Sequence, residues 1–154
     1  YEKLCRSHGA LLFEDYEAVR GWMDWLMDTL DSMEHPKCLC HIDANVDNFL
    51  FFEDGSVKLL DWEYAGMCDP VMDVSMCAIY SYYNEEDMER LFRLYLQREP
   101  SEDELFALYA NAALGGFLWC LWAVYKSILG DEFGEYTIIM YRYAKKYYRK
   151  LRKL

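Results

Sequence analysis

The 154-residue sequence has only three prolines and eight glycines, and no stretch rich in Pro, Gly or Ser that would serve as a linker. It also has no internal repeat and no low-complexity tract. A single domain over residues 1–154 is therefore expected, and this length can bury one hydrophobic core. No apolar run reaches the ~18 residues that suggest a bilayer span. The richest run, Ala112 to Val124, is broken by Gly115 and Gly116, so no membrane span is expected. The chain starts at Tyr1, without Met and without a basic segment leading into an apolar one. No secretory leader is therefore expected, the start fits a fragment as well as a processed chain, and a cytoplasmic protein is expected. Positive charge is scarce, with 16 Lys and Arg against 27 Asp and Glu for a net of -11. Seven of those cations crowd into Arg142–Leu154, where there is no acid, so the first 141 residues hold nine cations against 27 carboxylates, a net of -18. Such a body disfavours nucleic acid and suits a cationic small molecule, with plain solubility as the alternative. The basic end reads as a terminal helix whose cations complement its C-terminal dipole.

Hydrophobic residues make up 54% and aromatics 18%, the composition of a packed globular chain. The six cysteines, at 5, 38, 40, 68, 77 and 120, form no small disulfide framework. They read as reduced, mostly buried thiols. Cys38-Leu-Cys40-His41 has no second ligand pair at zinc spacing and alternates as a strand does. Asp15 to about Met33 is an amphipathic helix with Val19, Trp22, Trp25, Leu26 and Leu30 on related faces. Cys38 to Ile42 is a short strand. Phe49–Phe52 and Val57–Trp62 flank Glu53-Asp54-Gly55-Ser56 as a hairpin. Asp69-Pro70 opens a helix to about Tyr83, Asn84 caps the next, and Ser101-x-x-Glu104 is a capping box before a helix ending near Leu129 and Gly130. A last helix runs from about Gly134 to Arg152. The expected class is mainly α with a small β-hairpin.

His41-Ile-Asp43-Ala-Asn-Val-Asp-Asn48, then Leu-Leu-Asp61-Trp-Glu63, carries the chemistry. Phosphoryl transfer needs positioning and neutralised phosphate charge more than covalent help. Asp43, on a loop after a strand, can orient or deprotonate a hydroxyl. The Asn48 side-chain oxygen is a hard ligand suited to Mg²⁺. The hairpin can return Asp61 beside Asn48, with Glu63 within reach of a second ion. His41 is better placed to fix the loop by hydrogen bonds than to move protons.

His-x-Asp-x₄-Asn, a hairpin and Asp resembles the protein-kinase-like fold. Ile42 in place of Arg, Asp61-Trp-Glu-Tyr-Ala-Gly66 in place of Asp-Phe-Gly, and Asp69-Pro-x-x-Asp73 are more similar to the choline/ethanolamine kinase and aminoglycoside phosphotransferase group, including bacterial choline kinases. The resemblance covers about Cys38 to Tyr147. It implies the C-terminal lobe of a protein-kinase-like fold, ATP as co-substrate, catalytic Asp43, metal ligands Asn48 and Asp61, and a site-ordering role for Asp73, although a first-turn helix acid is the plain reading of Asp73 alone. Trp119 and Trp122 share a helix face and resemble the tryptophan pair that lines a quaternary-ammonium pocket in choline kinases, whereas an aromatic stripe without that context reads as core. Tyr80 and Tyr83 share a helical face and are candidates for another wall. The implied activity is phosphorylation of the hydroxyl of choline or another small amino alcohol. Ethanolamine and aminoglycosides are the alternatives within the fold, and a non-catalytic cation-binding or structural fragment is the alternative outside it. Tyr1 to Lys37 holds no Gly-rich phosphate-covering loop and no strand bearing an ATP-pairing Lys. The expectation is a C-terminal half whose N-terminal ATP-binding lobe is missing, with little activity alone.

Overall fold

The structure, a computed structural model, describes every residue except Leu12, His35 and Leu154. Among the described residues, six helices and four three-residue strands follow one another as α1 (Glu2–Ser7), α2 (Tyr16–Ser32), β1 (Cys38–Cys40), β2 (Phe49–Phe51), β3 (Val57–Leu59), β4 (Gly66–Cys68), α3 (Val71–Tyr80), α4 (Glu85–Leu96), α5 (Glu102–Ile128) and α6 (Tyr136–Leu151). A single turn of 3₁₀ helix, Val46–Asn48, leads into β2. The chain divides into two units, residues 34–111 and residues 1–33 with 112–154.

In the unit of residues 34–111, β1 pairs antiparallel with β4, and β2 with β3. The β2–β3 hairpin forms as its turn chemistry requires. Gly55 takes φ 80°, Asp54 accepts from Ser56 N at 2.9 Å, and Phe52 N donates to Ser56 O. Beside it, α3 and α4 bury Val74, Met76, Ile79, Met88 and Phe92 with Leu108 and Tyr109 of α5. Ser75 Oγ is buried there and donates to Leu108 O at 3.0 Å. The caps are the expected ones. Asp69 accepts from Val71 N, Asn84 from Asp87 N, and Ser101 and Glu104 exchange the two bonds of a capping box. Several elements stop short of expectation, β1 ending at Cys40 and β3 at Leu59. Rather than continuing to Tyr83, α3 stops at Tyr80, because Tyr82 enters the left-handed region at φ 54° and Tyr83 N closes the end onto Ala78 O.

In the other unit, α2 buries Tyr16, Val19, Met23 and Leu26. This is a narrower stripe than the one read from Trp22 and Trp25. Those tryptophans instead receive α6, with Tyr148 stacked on Trp22 at 4.6 Å and edge-on to Trp25 at 5.9 Å. Arg149 and Arg152 lie over the same two indoles, so the basic end of the chain is held by cation–π contacts as well as by its dipole. Gly116 lets α5 and α6 approach, since a Cβ there would lie 2.7 Å from Met140 O. By length and composition α5 could cross a membrane, but 72% of its most apolar window is buried within the protein, as in a core helix.

Candidate active site

The loop after β1 carries the candidate base. His41 N donates to Asp73 Oδ2 at 2.9 Å, and Ile42 N to Asp73 Oδ1 at 2.7 Å. One carboxylate on the first turn of α3 therefore grips two successive amides. Between them the backbone turns sharply, with Ile42 at φ 69°, a conformation a β-branched residue rarely adopts. The buried His41 ring reaches the other way, Nε2 donating to Leu60 O at 2.6 Å, with Trp62 edge-on at 4.8 Å. This bond ties the loop to the residue before Asp61.

Asp43 is half-buried, and protein donors engage both of its carboxylate oxygens. Tyr80 OH donates to Oδ1 at 2.6 Å, and Asn48 Nδ2 donates to Oδ2 at 3.1 Å and to the Asp43 carbonyl at 2.9 Å. The 3₁₀ turn brings Asn48 back to Asp43, with Asn45 N and Asn48 N bonded to Asp43 O and Asn45 O. Spending Nδ2 on Asp43 leaves the Asn48 side-chain oxygen for another partner. The hairpin register pairs Phe49 with Leu59, and Leu60 N donates to Asn48 O at 2.8 Å, so Asp61 follows one residue beyond Asn48's opposite number. Asp61 is exposed at φ 58°, and Glu63 is exposed in the next turn.

The structure thus gathers Asp43, Asn48 and Tyr80 in direct contact, secures them through Asp73 and His41, and sets Asp61 at the same end of the hairpin. Tyr83 does not share Tyr80's face. With α3 ended, Tyr83 lines a shallow surface cavity with Asp87, Arg90 and Leu91 of α4. Tyr80, a candidate aromatic wall by sequence, also bonds Asp43 through its hydroxyl from 37 residues away, a contact that nothing in the sequence signals. Among the described residues no three His, Cys, Asp or Glu side chains converge as a closed metal site. The hard oxygens of Asn48 and Asp61 nonetheless fit Mg²⁺, which binds through one or two protein oxygens and completes its shell with phosphate and water.

In the other unit, Trp119 is buried and meets Trp122 edge-on at 5.6 Å, and Trp122 meets Phe133 edge-on at 5.0 Å. Tyr136 continues the cluster at 6.2 Å from Phe133. Lys126 Nζ already stands 5.7 Å from the Trp122 centroid, so this indole can take a cation on its face.

A family model described as phosphotransferase enzyme family matches residues 2–107. The chain belongs to that family. Among its relatives is protein LicA of Haemophilus influenzae, 27% identical over 105 residues that make up 64% of this chain and 39% of LicA. Mouse ethanolamine kinase 1 is 26% identical over 151 residues, 80% of this chain and 42% of that protein. In three dimensions this chain is similar to choline kinase LicA from Streptococcus pneumoniae, with a TM-score of 0.78 and 27% identity over 97% of this chain and 54% of the other. Its fold is the mainly helical C-terminal lobe of a protein-kinase-like enzyme. The chain spans about two fifths of the length of those two relatives and about half of the solved choline kinase.

Proposed function

We propose that the chain is the catalytic and acceptor-binding half of an ATP-dependent kinase that phosphorylates the hydroxyl of a small amino alcohol, choline in the first place. The observation that carries this reading is the anchored carboxylate. Asp43 is held at both oxygens on a loop clamped by Asp73, one of its donors being Asn48, and the hairpin register sets Asp61 one residue beyond Asn48's opposite number. In this reading the acceptor hydroxyl oxygen attacks the γ-phosphorus of ATP, its proton passes to Asp43, and the bond to ADP breaks. Mg²⁺ bound by Asn48 and Asp61, with Glu63 nearby, would offset the charge of the phosphates. Asp73 and His41 order the loop. Trp119 and Trp122 offer ring faces to an ammonium that has no N–H to donate, and Tyr80 and Tyr83 are the aromatic candidates for acceptor contact within the unit that holds Asp43. The ATP-binding lobe would lie in a further part of the protein, in keeping with the share of its relatives that the chain spans.

The test is phosphorylation of choline, ethanolamine and kanamycin by the whole protein that carries this chain. Asp43→Asn should lower kcat by ~10²–10⁴-fold, the usual worth of a positioned base. Trp119→Ala with Trp122→Ala should raise KM for choline far more than for kanamycin. Equal loss on all three acceptors would reject the aromatic box, and unimpaired Asp43→Asn would reject the kinase reading. The 154-residue chain alone should turn over little, and robust activity from it would refute its being half of the enzyme.

A further inference from the structure

The β1–β4 pair sets three thiols on one face. Cys38 and Cys40 are two residues apart on β1, so their side chains share a side, and the register places Cys68 directly opposite Cys38. The intervening partners Leu39 and Met67 take the other, exposed face. Cys38 Sγ lies 3.7 Å from Cys40 Sγ. Cys40 Sγ bonds Cys68 O at 3.4 Å and Asp69 O at 3.5 Å, and meets the Cys68 thiol. All three are free thiols of graded access, with Cys38 exposed, Cys68 half-buried and Cys40 buried.

We propose that Cys38 and Cys68 form an oxidant-sensitive modification site, closing a cross-strand disulfide at the expense of a low-molecular-weight disulfide such as oxidised glutathione. The Cys38 thiolate attacks one sulfur of the oxidant. The oxidant's S–S bond breaks, a mixed disulfide forms on Cys38, and one glutathione leaves with the proton that Cys38 gave up. The Cys68 thiolate then attacks the Cys38 sulfur and the second glutathione leaves with the second proton. Two cysteines have been oxidised by two electrons and one disulfide reduced to two thiols. Burial pushes the Cys40 and Cys68 thiols up, which leaves the first attack to Cys38.

Cys68 is the better resolving partner although Cys40 has a sulfur closer in sequence. Directly paired antiparallel residues have Cα atoms ~4.5–5.5 Å apart, well inside the ~4.4–6.8 Å that a disulfide spans. Two residues along one strand advance ~6.6 Å, at the edge of that range. The site also has a consequence. β1 runs into His41–Asp43, and β4 runs through Asp69 into α3, whose Asp73 holds that loop, so the bond staples the two strands that deliver both.

The experiment treats the 154-residue chain with excess oxidised glutathione at mildly alkaline pH and follows intact mass, peptide mapping after differential alkylation, and thermal melting. The expected product has lost two hydrogens, maps to Cys38–Cys68, melts several degrees higher because the crosslink closes a long loop, and reverts with dithiothreitol. Cys68→Ser should stop at glutathione bound to Cys38, and Cys38→Ser, a change at an exposed position, should keep the native circular dichroism and give no product. Six free thiols after treatment of the parent chain would overturn the proposal. An internal disulfide still formed by Cys68→Ser would overturn the assignment to the cross-strand pair.

Discussion

Asp73 is the residue whose removal should most disturb the candidate site without touching a substrate. Its carboxylate accepts from His41 N at 2.9 Å and from Ile42 N at 2.7 Å, and between these bonds the chain carries Ile42 at φ 69°. Hydrogen bonds to a charged group contribute ~1.5–3 kcal/mol each, and a strained left-handed residue costs ~1–3 kcal/mol that its surroundings must offset. Asp73 is only half-buried, so water can reclaim part of what the amides lose. For Asp73→Asn, which keeps one acceptor oxygen but turns an NH₂ toward an amide N–H, we expect a loss of ~2 kcal/mol, or roughly 4–8 °C in Tm for a chain of this size. For Asp73→Ala, which leaves both amides without a partner, the loss should be ~3–4 kcal/mol. Urea unfolding of the 154-residue chain followed by circular dichroism measures this, and hydrogen exchange at the amides of His41 and Ile42 localises it. Both amides should lose protection while those of α6 do not. If both variants unfold at the parent's midpoint with the two amides still protected, then the loop is held by Tyr80 and Asn48 and the argument from Asp73 fails.

Two other positions give equally definite expectations. Gly116→Ala puts a Cβ 2.7 Å from Met140 O and 2.9 Å from Tyr143 Cβ, a backbone clash that cannot be relieved by turning a side chain. It should destabilise by ~1–3 kcal/mol, read as a lower melting temperature, and an unchanged or higher one would mean that α5 and α6 separate more easily than their packing implies. At α5's start, the Arg98 guanidinium beside Glu104, with the Ser101 amide, holds the Glu104 carboxyl down to about 2 from an ordinary 4.5. A depressed carboxyl stabilises the folded state fully above its ordinary value and loses that contribution as pH falls toward about 2. Glu104→Gln should therefore flatten the acid limb of a stability-versus-pH curve between those values, and an identical limb in the variant would assign it to other carboxylates.

Much of the fold is legible because its determinants are local. The capping box at Ser101 and Glu104, the Asn84 cap and the Gly55 turn each depend on residues within a few positions of one another, and that turn sends Asp61 back toward Asn48. What escapes is set at long range or is too short to show a period. The six residues of α1 and the three of β4 are too few to print one, and β4 exists because the edge of β1 needs a partner 28 residues away. Helix α3 ends early through a tyrosine in the left-handed region, where glycine or asparagine would have announced the stop. Spacing puts Trp22 and Trp25 on faces related to that of Val19 and Leu26, but carries no sign of their contacts with Tyr148, Arg149 and Arg152. The same limit applies at the site. Motif spacing singles out Asp43, Asn48 and Asp61, but it carries no trace of the bond from Tyr80.

That bond and its neighbours bear on which rival reading fits best. Every partner that orders the loop, namely Asp73, Asn48, Tyr80 and Leu60, belongs to the unit of residues 34–111. The carboxylate is therefore oriented before any substrate or further lobe is involved, which is the preorganisation a proposed base requires. Among the described residues, two of the four non-glycine residues with positive φ, Ile42 and Asp61, lie at this site, one beside the proposed base and one a candidate ligand. Each such conformation costs ~1–3 kcal/mol. A fragment kept only for its packing would lower that cost with glycine or asparagine. A loop that must aim a carboxylate at an acceptor, and an aspartate at bound phosphates, has a reason to bear it.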